Sequence, residues 1–261
     1  MVQSYIPSAH LPAPVRRFVK PYCNNVIVTQ SGEGLFSVIG GSKPSVPFNY
    51  ALKQCGAQVL SDLTFVDKRP ASSTTFLPNF ARVSSDDEDG AGTTQISITP
   101  PDSALNAVGS ENCWKFKGTH GQLGLGLVDQ LNITFVSVDY NAEDAIIDAP
   151  RSMVLWGLVD GRKALEQYHS VAHIAASLRG RLPLTVPKPS PQDKVYVPLA
   201  AFEYNPHLLI QQQYFPVFKE TLQLGFPVGI VVVQVLGNWG GGSTRLCGVS
   251  IHGVPVHESH E

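Results

Sequence analysis

An all-β sandwich is the fold class this sequence predicts, and three observations predict it. Twenty prolines and twenty-three glycines cut 261 residues into short segments. Between these breaks lie β-branched or alternating apolar runs of strand length. Long stripes with the 3.6-residue helical period are scarce. Apolar residues make up 43% of the chain and charged residues 15%, the balance of a globular domain rather than a disordered one. The length suffices for one large domain.

In chain order, strands are expected at 25–30, 95–99, 122–127, 133–138, 153–158, 196–202, 214–218, 229–236 and 246–252. The run from Ile230 to Leu236 (Ile-Val-Val-Val-Gln-Val-Leu) has the composition of a buried strand. Two helices are expected. One is short, at 49–54 with Asn49 as its N-cap. The other, at 162–178, carries leucine, alanine and histidine at helical spacing and stops near Gly180. Residues 84–92 read as an acidic turn and 183–193 as a proline-rich connector. Residues 1–44 carry Arg16, Arg17 and Lys20 before the first acid, a faint likeness to a transit peptide. Pro7, Pro12, Pro14 and Pro21 break the helix such a peptide needs, so an extended arm is expected. Residues 256–261 read as a frayed tail.

Charge and motifs exclude several kinds of function. Net charge is −2, which leaves no basic footprint for nucleic acid or anionic lipid. No apolar run approaches the roughly 20 residues of a membrane span, and no heptad run marks a coiled coil. Neither a G-x-S-x-G elbow nor a P-loop occurs, and Leu123-Gly124-Leu125-Gly126-Leu127 lies inside a strand pattern. A non-catalytic chain is expected. His169 and His173 sit four apart on the longer helix, but no neighbouring acid or cysteine completes a metal shell. Asp86, Asp87, Glu88 and Asp89 lack the alternation of a calcium loop. Cys23, Cys55, Cys113 and Cys247 form no C-x-x-C pair and are too scattered for a disulfide scaffold, so each reads first as a small buried apolar residue. Asn132-Ile133-Thr134 is a glycosylation sequon, meaningful only in a secretory compartment.

Five blocks in order carry a family resemblance: "NYALKQCGAQVL" (49–60), "ENCWKFKG" (111–118), "DAPRSMVLWGL" (148–158), "QQQYFPVF" (211–218) and "GNWGGGSTRLCGVSIHG" (237–253). Together they resemble the SUN domain, the β-sandwich of nuclear-envelope bridging proteins, over about residues 45–255, with an extra segment at about 161–194. The resemblance implies a galactose-binding-type sandwich of jelly-roll kind. Within it Trp114, Asn238, Trp239 and Gly240 are structural, and Trp239 caps one end of the core. It also implies a bridge from Cys113 to the last strand. Cys247 lies one or two positions beyond the family's cysteine, and the absence of a signal-peptide pattern argues for thiols, so the bridge stays open. A monovalent cation on backbone carbonyls of the loop before Asn112 is a further implication.

The departures redirect the functional expectation. The family's pocket for a KASH tail falls on Ser137, Asp148, Ser243 and Cys247, none of which keeps the family's residue. Asp148 would repel a terminal carboxylate. The family's partner-linking cysteine falls on Thr64. The chain is therefore expected to be an interaction module and structural subunit of a larger assembly. Its contacts are expected through the arm, the segment 161–194 with His169 and His173, and the altered groove. A glycan-binding sandwich is the alternative, and a divergent KASH-binding bridge the third. The resemblance points to an organelle or nuclear-envelope-associated assembly.

Overall fold

The computed structural model describes residues 47–66, 98–106, 113–139, 146–208, 210 and 212–256. The arm, the expected strand at 25–30, most of that at 95–99, the acidic turn and the tail from 257 on lie outside these residues. The described residues form ten strands. They are β1 (Gln58–Val59), β2 (Phe65–Val66), β3 (Trp114–Lys117), β4 (Gly121–Asp139), β5 (Ser152–Leu158), β6 (Tyr196–Glu203), β7 (Gln212–Pro216), β8 (Val228–Val235), β9 (Ser243–Leu246) and β10 (Gly248–Pro255).

The chain is an all-β sandwich, and β4 is its hinge. The two strands expected at 122–127 and 133–138 are one strand of 19 residues whose register breaks between Gly126 and Leu131. Its first half pairs with β8 and the short edges β1 and β2. Its second half pairs with β10 and β7. One hydrogen-bonded sheet thereby supplies both layers, a large one running β4-β8-β5-β6 and a small one of β10-β4-β7. The ribbon β3–β9 stands apart. Leu123, Leu125 and Leu127 from the first half and Val136 and Val138 from the second share one core with Val231, Val233, Val249 and Ile251. Alternation along each half supplies this inward face.

The outer face of the large layer is apolar too. Val154, Trp156, Leu158, Ile230 and Val232 point away from the main core and form a second cluster. Leu182 and Val186 of the segment 161–194 cover it, as does Leu63. Gly124 allows this last contact: a Cβ there would stand 2.2 Å from the Leu63 Cβ. The cover is fastened by Gln122, whose amide donates to the carbonyls of Leu63 (2.9 Å) and Ser190 (2.7 Å) and accepts from the Ser190 N–H (3.0 Å). The Arg179 guanidinium lies 5.5 Å over the Trp156 ring.

The helical segment corrects the sequence reading twice. The single helix expected at 162–178 is two, α1 (Arg162–Ser170) and α2 (Ala172–Gly180), parted at Val171 with φ −113° and ψ 19°. Ser170 donates its hydroxyl to the Gln167 carbonyl (2.7 Å), a local bond that competes with helix continuation. The segment is also no free-standing appendage, because Ala175 and Leu178 of α2 reach the main core. The expected helix at 49–54 is instead a turn followed by a 3-10 stretch, Lys53–Cys55. Asn49 accepts there from the Ala51 N–H (2.9 Å) and from Ile251 of β10 (3.1 Å). The strand expected at 246–252 is broken into β9 and β10 at Cys247, which is disulfide-bonded to Cys113. The bridge left open between Cys113 and Cys247 is thus formed, and Cys55 is also disulfide-bonded, so the first reading of each cysteine as merely a small buried apolar residue does not describe these three.

Candidate functional site

The outer face of the small layer is polar yet buried. Ser137 and Asp139 alternate with core-facing Val136 and Val138 on β4, flanked by Gln212 and Tyr214 on β7 and by Ser250 and His252 on β10. Ser137, Asp139, Ser250 and His252 are all buried. His252 Nδ1 lies 2.9 Å from the Phe48 carbonyl, which can only accept, so Nδ1 carries the proton. Burial holds the imidazole neutral, with a pKa lowered to about 4. Nε2 is therefore an acceptor, and the Ser137 hydroxyl donates to it across 3.2 Å. Gln212 donates its amide to Ser137 Oγ (3.1 Å), and the Tyr214 hydroxyl donates to Gln212 Oε1 (2.6 Å). The result is one directed chain: Tyr214 to Gln212 to Ser137 to His252 to Phe48. Phe135 stacks on the His252 ring at 4.5 Å.

This geometry pairs a serine with a histidine, but it does not make a nucleophile. Ser137 has no exposed surface, and its oxygen already accepts from Gln212. A backbone carbonyl stands where a hydrolase would place an orienting acid. Asp139 closes the row. Burial raises its pKa to about 7, and Gln212 partly offsets the shift. Its Oδ1 has no hydrogen-bond partner among the described residues.

The second feature lies at the end of the sandwich and is built around the turn after β8. Asn238 donates its amide to the carbonyls of Gly241 (3.0 Å) and Ser243 (2.7 Å), and accepts from the Gly240 N–H (3.0 Å). Gly240 needs its positive φ of 113°, and a Cβ on Gly241 would stand 2.2 Å from Asp148 Oδ1. The turn thus clamps the loop 146–151, with Gly241 donating to the Ile147 carbonyl and Trp239 to that of Ala149. Trp239 is partly exposed against the core rather than inside it, because its ring lies on the surface between two loops. Its Nε1 donates to the Tyr204 carbonyl (3.0 Å), Arg151 covers its face at 4.7 Å, and His207 meets it edge-on at 5.4 Å. Trp114, by contrast, is buried beside Phe116.

Three segments, 146–151, 204–208 and 237–242, meet at this rim. Ile147 and Leu208 on them are 56% and 55% exposed. The charges beside them are paired: Arg151 with Glu203, and Lys115 with Asp148 at 3.9 Å.

The expected site residues separate in space. Asp148 and Ser243 meet the Asn238 turn, Ser137 is buried in the polar chain, and Cys247 is in its disulfide. His169 and His173 lie on the exposed sides of α1 and α2, on different helices. No cluster of three metal-binding side chains occurs among the described residues. Residues 107–112 of the loop assigned to a cation lie outside them. Sequence reasoning missed His252, Gln212, Arg151 and the exposed rim. The alternation Val136-Ser137-Val138-Asp139 was the available signal for the polar face, whereas the rim is made by loops far apart in sequence.

No protein-family model and no curated protein matches the sequence. Among solved structures, the chain is similar to the family 32 carbohydrate-binding module of Streptococcus pneumoniae EndoD, with 11% identity and TM-score 0.40 over 78% of this chain and 99% of that one. It is similar to allantoicase from Saccharomyces cerevisiae at 12% identity and TM-score 0.41, over 80% of this chain and 44% of that one. A third is the family 32 module of C. perfringens NanJ in complex with galactose, at 9% identity and TM-score 0.35, over 58% of this chain and 83% of that one. Sugar binding and catalysis belong to those proteins; the site here is built from this chain's own residues.

Proposed function

We propose that the chain is a non-catalytic, SUN-like interaction module, a structural subunit that docks a protein partner on the rim around Trp239. The observation that carries this is the exposure of Ile147 and Leu208 beside a partly exposed tryptophan and arginine, with the neighbouring charges already paired. Clustered exposed apolar side chains mark interaction surfaces, and aromatic residues and arginine are enriched in protein interfaces. A sugar platform needs an open ring face and free polar groups. Here Arg151 covers the Trp239 ring, and its N–H is spent on Tyr204. The rim therefore favours a protein over a glycan. A KASH-type tail is disfavoured because Ser137 is buried in the polar chain and Cys247 is held in its disulfide.

The test is purification of the full chain from its native source beside the double variant Ile147→Asp, Leu208→Asp. The wild type should carry a stoichiometric partner that the variant loses, with unchanged thermal stability. Retention of the partner by the variant overturns the proposal, as does saturable binding of wild type to a glycan array that Trp239→Ala abolishes.

A further inference from the structure

We infer that Asn132 is a site of N-linked glycosylation and that the domain matures in an oxidising, secretory compartment. Asn132-Ile133-Thr134 is the only Asn-x-Ser/Thr triplet in the sequence, and neither Ile133 nor the following Phe135 is proline. Asn132 is exposed on β4, flanked on β10 by Val254, itself 60% exposed. A carbohydrate on its amide therefore projects into solvent without displacing any core residue. Thr134, the hydroxyl the transferase requires, is half-buried and donates to the His252 carbonyl (3.3 Å) once the strand is formed. Modification accordingly precedes pairing of β4 with β10, as for a chain glycosylated while it enters the compartment.

The disulfides are the independent observation. Cys55, Cys113 and Cys247 are all disulfide-bonded, and no cysteine among the described residues is free. Structural disulfides persist in oxidising compartments and are rare where glutathione and thioredoxin keep thiols reduced. An N-glycosylation acceptor belongs on the surface of a protein made in such a compartment. The sequon and the cysteines thus agree on one address from unrelated chemistry.

The position also leaves the rim free. β4 folds back near residues 127–130, so Asn132 lies at one end of the small layer and Asp139 at the other. Gln213, paired with Val138 at that end, is hydrogen-bonded to Asn205 (3.1 and 2.6 Å), and the carbonyl of the adjacent Tyr204 holds the Trp239 N–H, which puts the rim at the Asp139 end. The seven residue-to-residue steps from Asn132 to Asp139 span about 23 Å of strand. In the transfer step the Asn132 amide nitrogen attacks the anomeric carbon of a lipid-pyrophosphate-linked oligosaccharide. The nitrogen–carbon bond forms and the carbon–oxygen bond to the pyrophosphate breaks. The lipid pyrophosphate leaves with that electron pair, and the amide gives up one proton.

The test uses the full chain from its native source. Treatment with peptide N-glycosidase in heavy-oxygen water should convert residue 132 to aspartate carrying the solvent's oxygen. Recovery of the untreated peptide with bare Asn132 overturns the inference. Alkylation should leave Cys113 and Cys247 joined, and free thiols at both overturn the compartment. In secretory expression, Thr134→Ala should lose the glycan completely while Thr134→Ser keeps it. A glycan persisting in Thr134→Ala overturns the assignment.

Discussion

The sandwich has two outer faces, both buried and opposite in chemistry. On the large layer, Val154, Trp156, Ile230 and Val232 are capped by apolar residues of the segment 161–194. On the small layer, Ser137 and His252 are joined with Gln212 and Tyr214 in a directed hydrogen-bond chain, with Asp139 buried beside it. The difference lies in what each face asks of its surroundings. An apolar face needs only to be kept from water, and any well-packed cover suffices. A buried polar face is tolerable only where each donor meets an acceptor, so its geometry is specific and its failures are local. Gln234 shows the two requirements meeting: it is the polar residue in the β8 run, and its Oε1 accepts from the Trp156 indole at 3.0 Å.

Removing the cover is the severest way to break the comparison. Replacing residues 161–194 by a short glycine linker should abolish cooperative unfolding, because it strips the fully buried Leu178 from the core and uncovers Trp156. A soluble variant with a wild-type denaturation midpoint would show the segment to be an appendage. Next, Trp156→Ala should cost about 3–5 kcal/mol in chemical denaturation. Ser137→Ala should cost about 1–3 kcal/mol, since it removes the donor to His252 Nε2 and strands a Gln212 N–H. If Ser137→Ala proves the costlier of the two, the polar chain dominates. Trp239→Ala, at the partly exposed rim, should cost about 1–2 kcal/mol, less than a core tryptophan.

The pH dependence separates two members of the polar face. Asp139 has a native pKa near 7, above its unfolded value, so the native state holds a proton that the unfolded state has lost between pH 4 and 7. Its contribution to stability is present at low pH and is lost as pH rises through 7. His252 does the reverse. With a native pKa near 4, it releases its proton on folding, so its contribution grows from pH 4 to 6.5. Their slopes oppose across this window. Asp139→Asn should therefore stabilise the domain at pH 8, with the gain disappearing by pH 4. A gain that is equal at both values would assign the effect to packing instead of ionisation.

Much of the fold was legible in the sequence because strand periodicity and glycine–proline punctuation are local. The strands at 153–158, 196–202 and 229–236 fall within one residue or so of β5, β6 and β8. The two-residue edges β1 and β2 escape any periodicity, and the hinge in β4 is set by two different partners at its two halves. The unbroken β-branched run of β8 already implied burial on both faces, and hence a cover, but the covering segment was read as an added surface. Of the site, the tight turn at Asn238–Trp239 was legible and its neighbours were not. Arg151, His207 and Ile147 meet Trp239 or its turn only through tertiary pairing. The role of Gly240 follows from its positive φ and that of Gly241 from the approach of Asp148, both invisible in the triplet itself.

Amide hydrogen exchange on the full chain, free and bound to its co-purified partner, tests most directly whether the rim is the working surface and the segment 161–194 a structural cover. Binding should slow exchange in 146–151, 204–208 and 237–242 while leaving the already protected core amides of α2 and β8 unchanged. Slowed exchange confined to 161–194, with the three rim loops unaffected, would contradict both assignments.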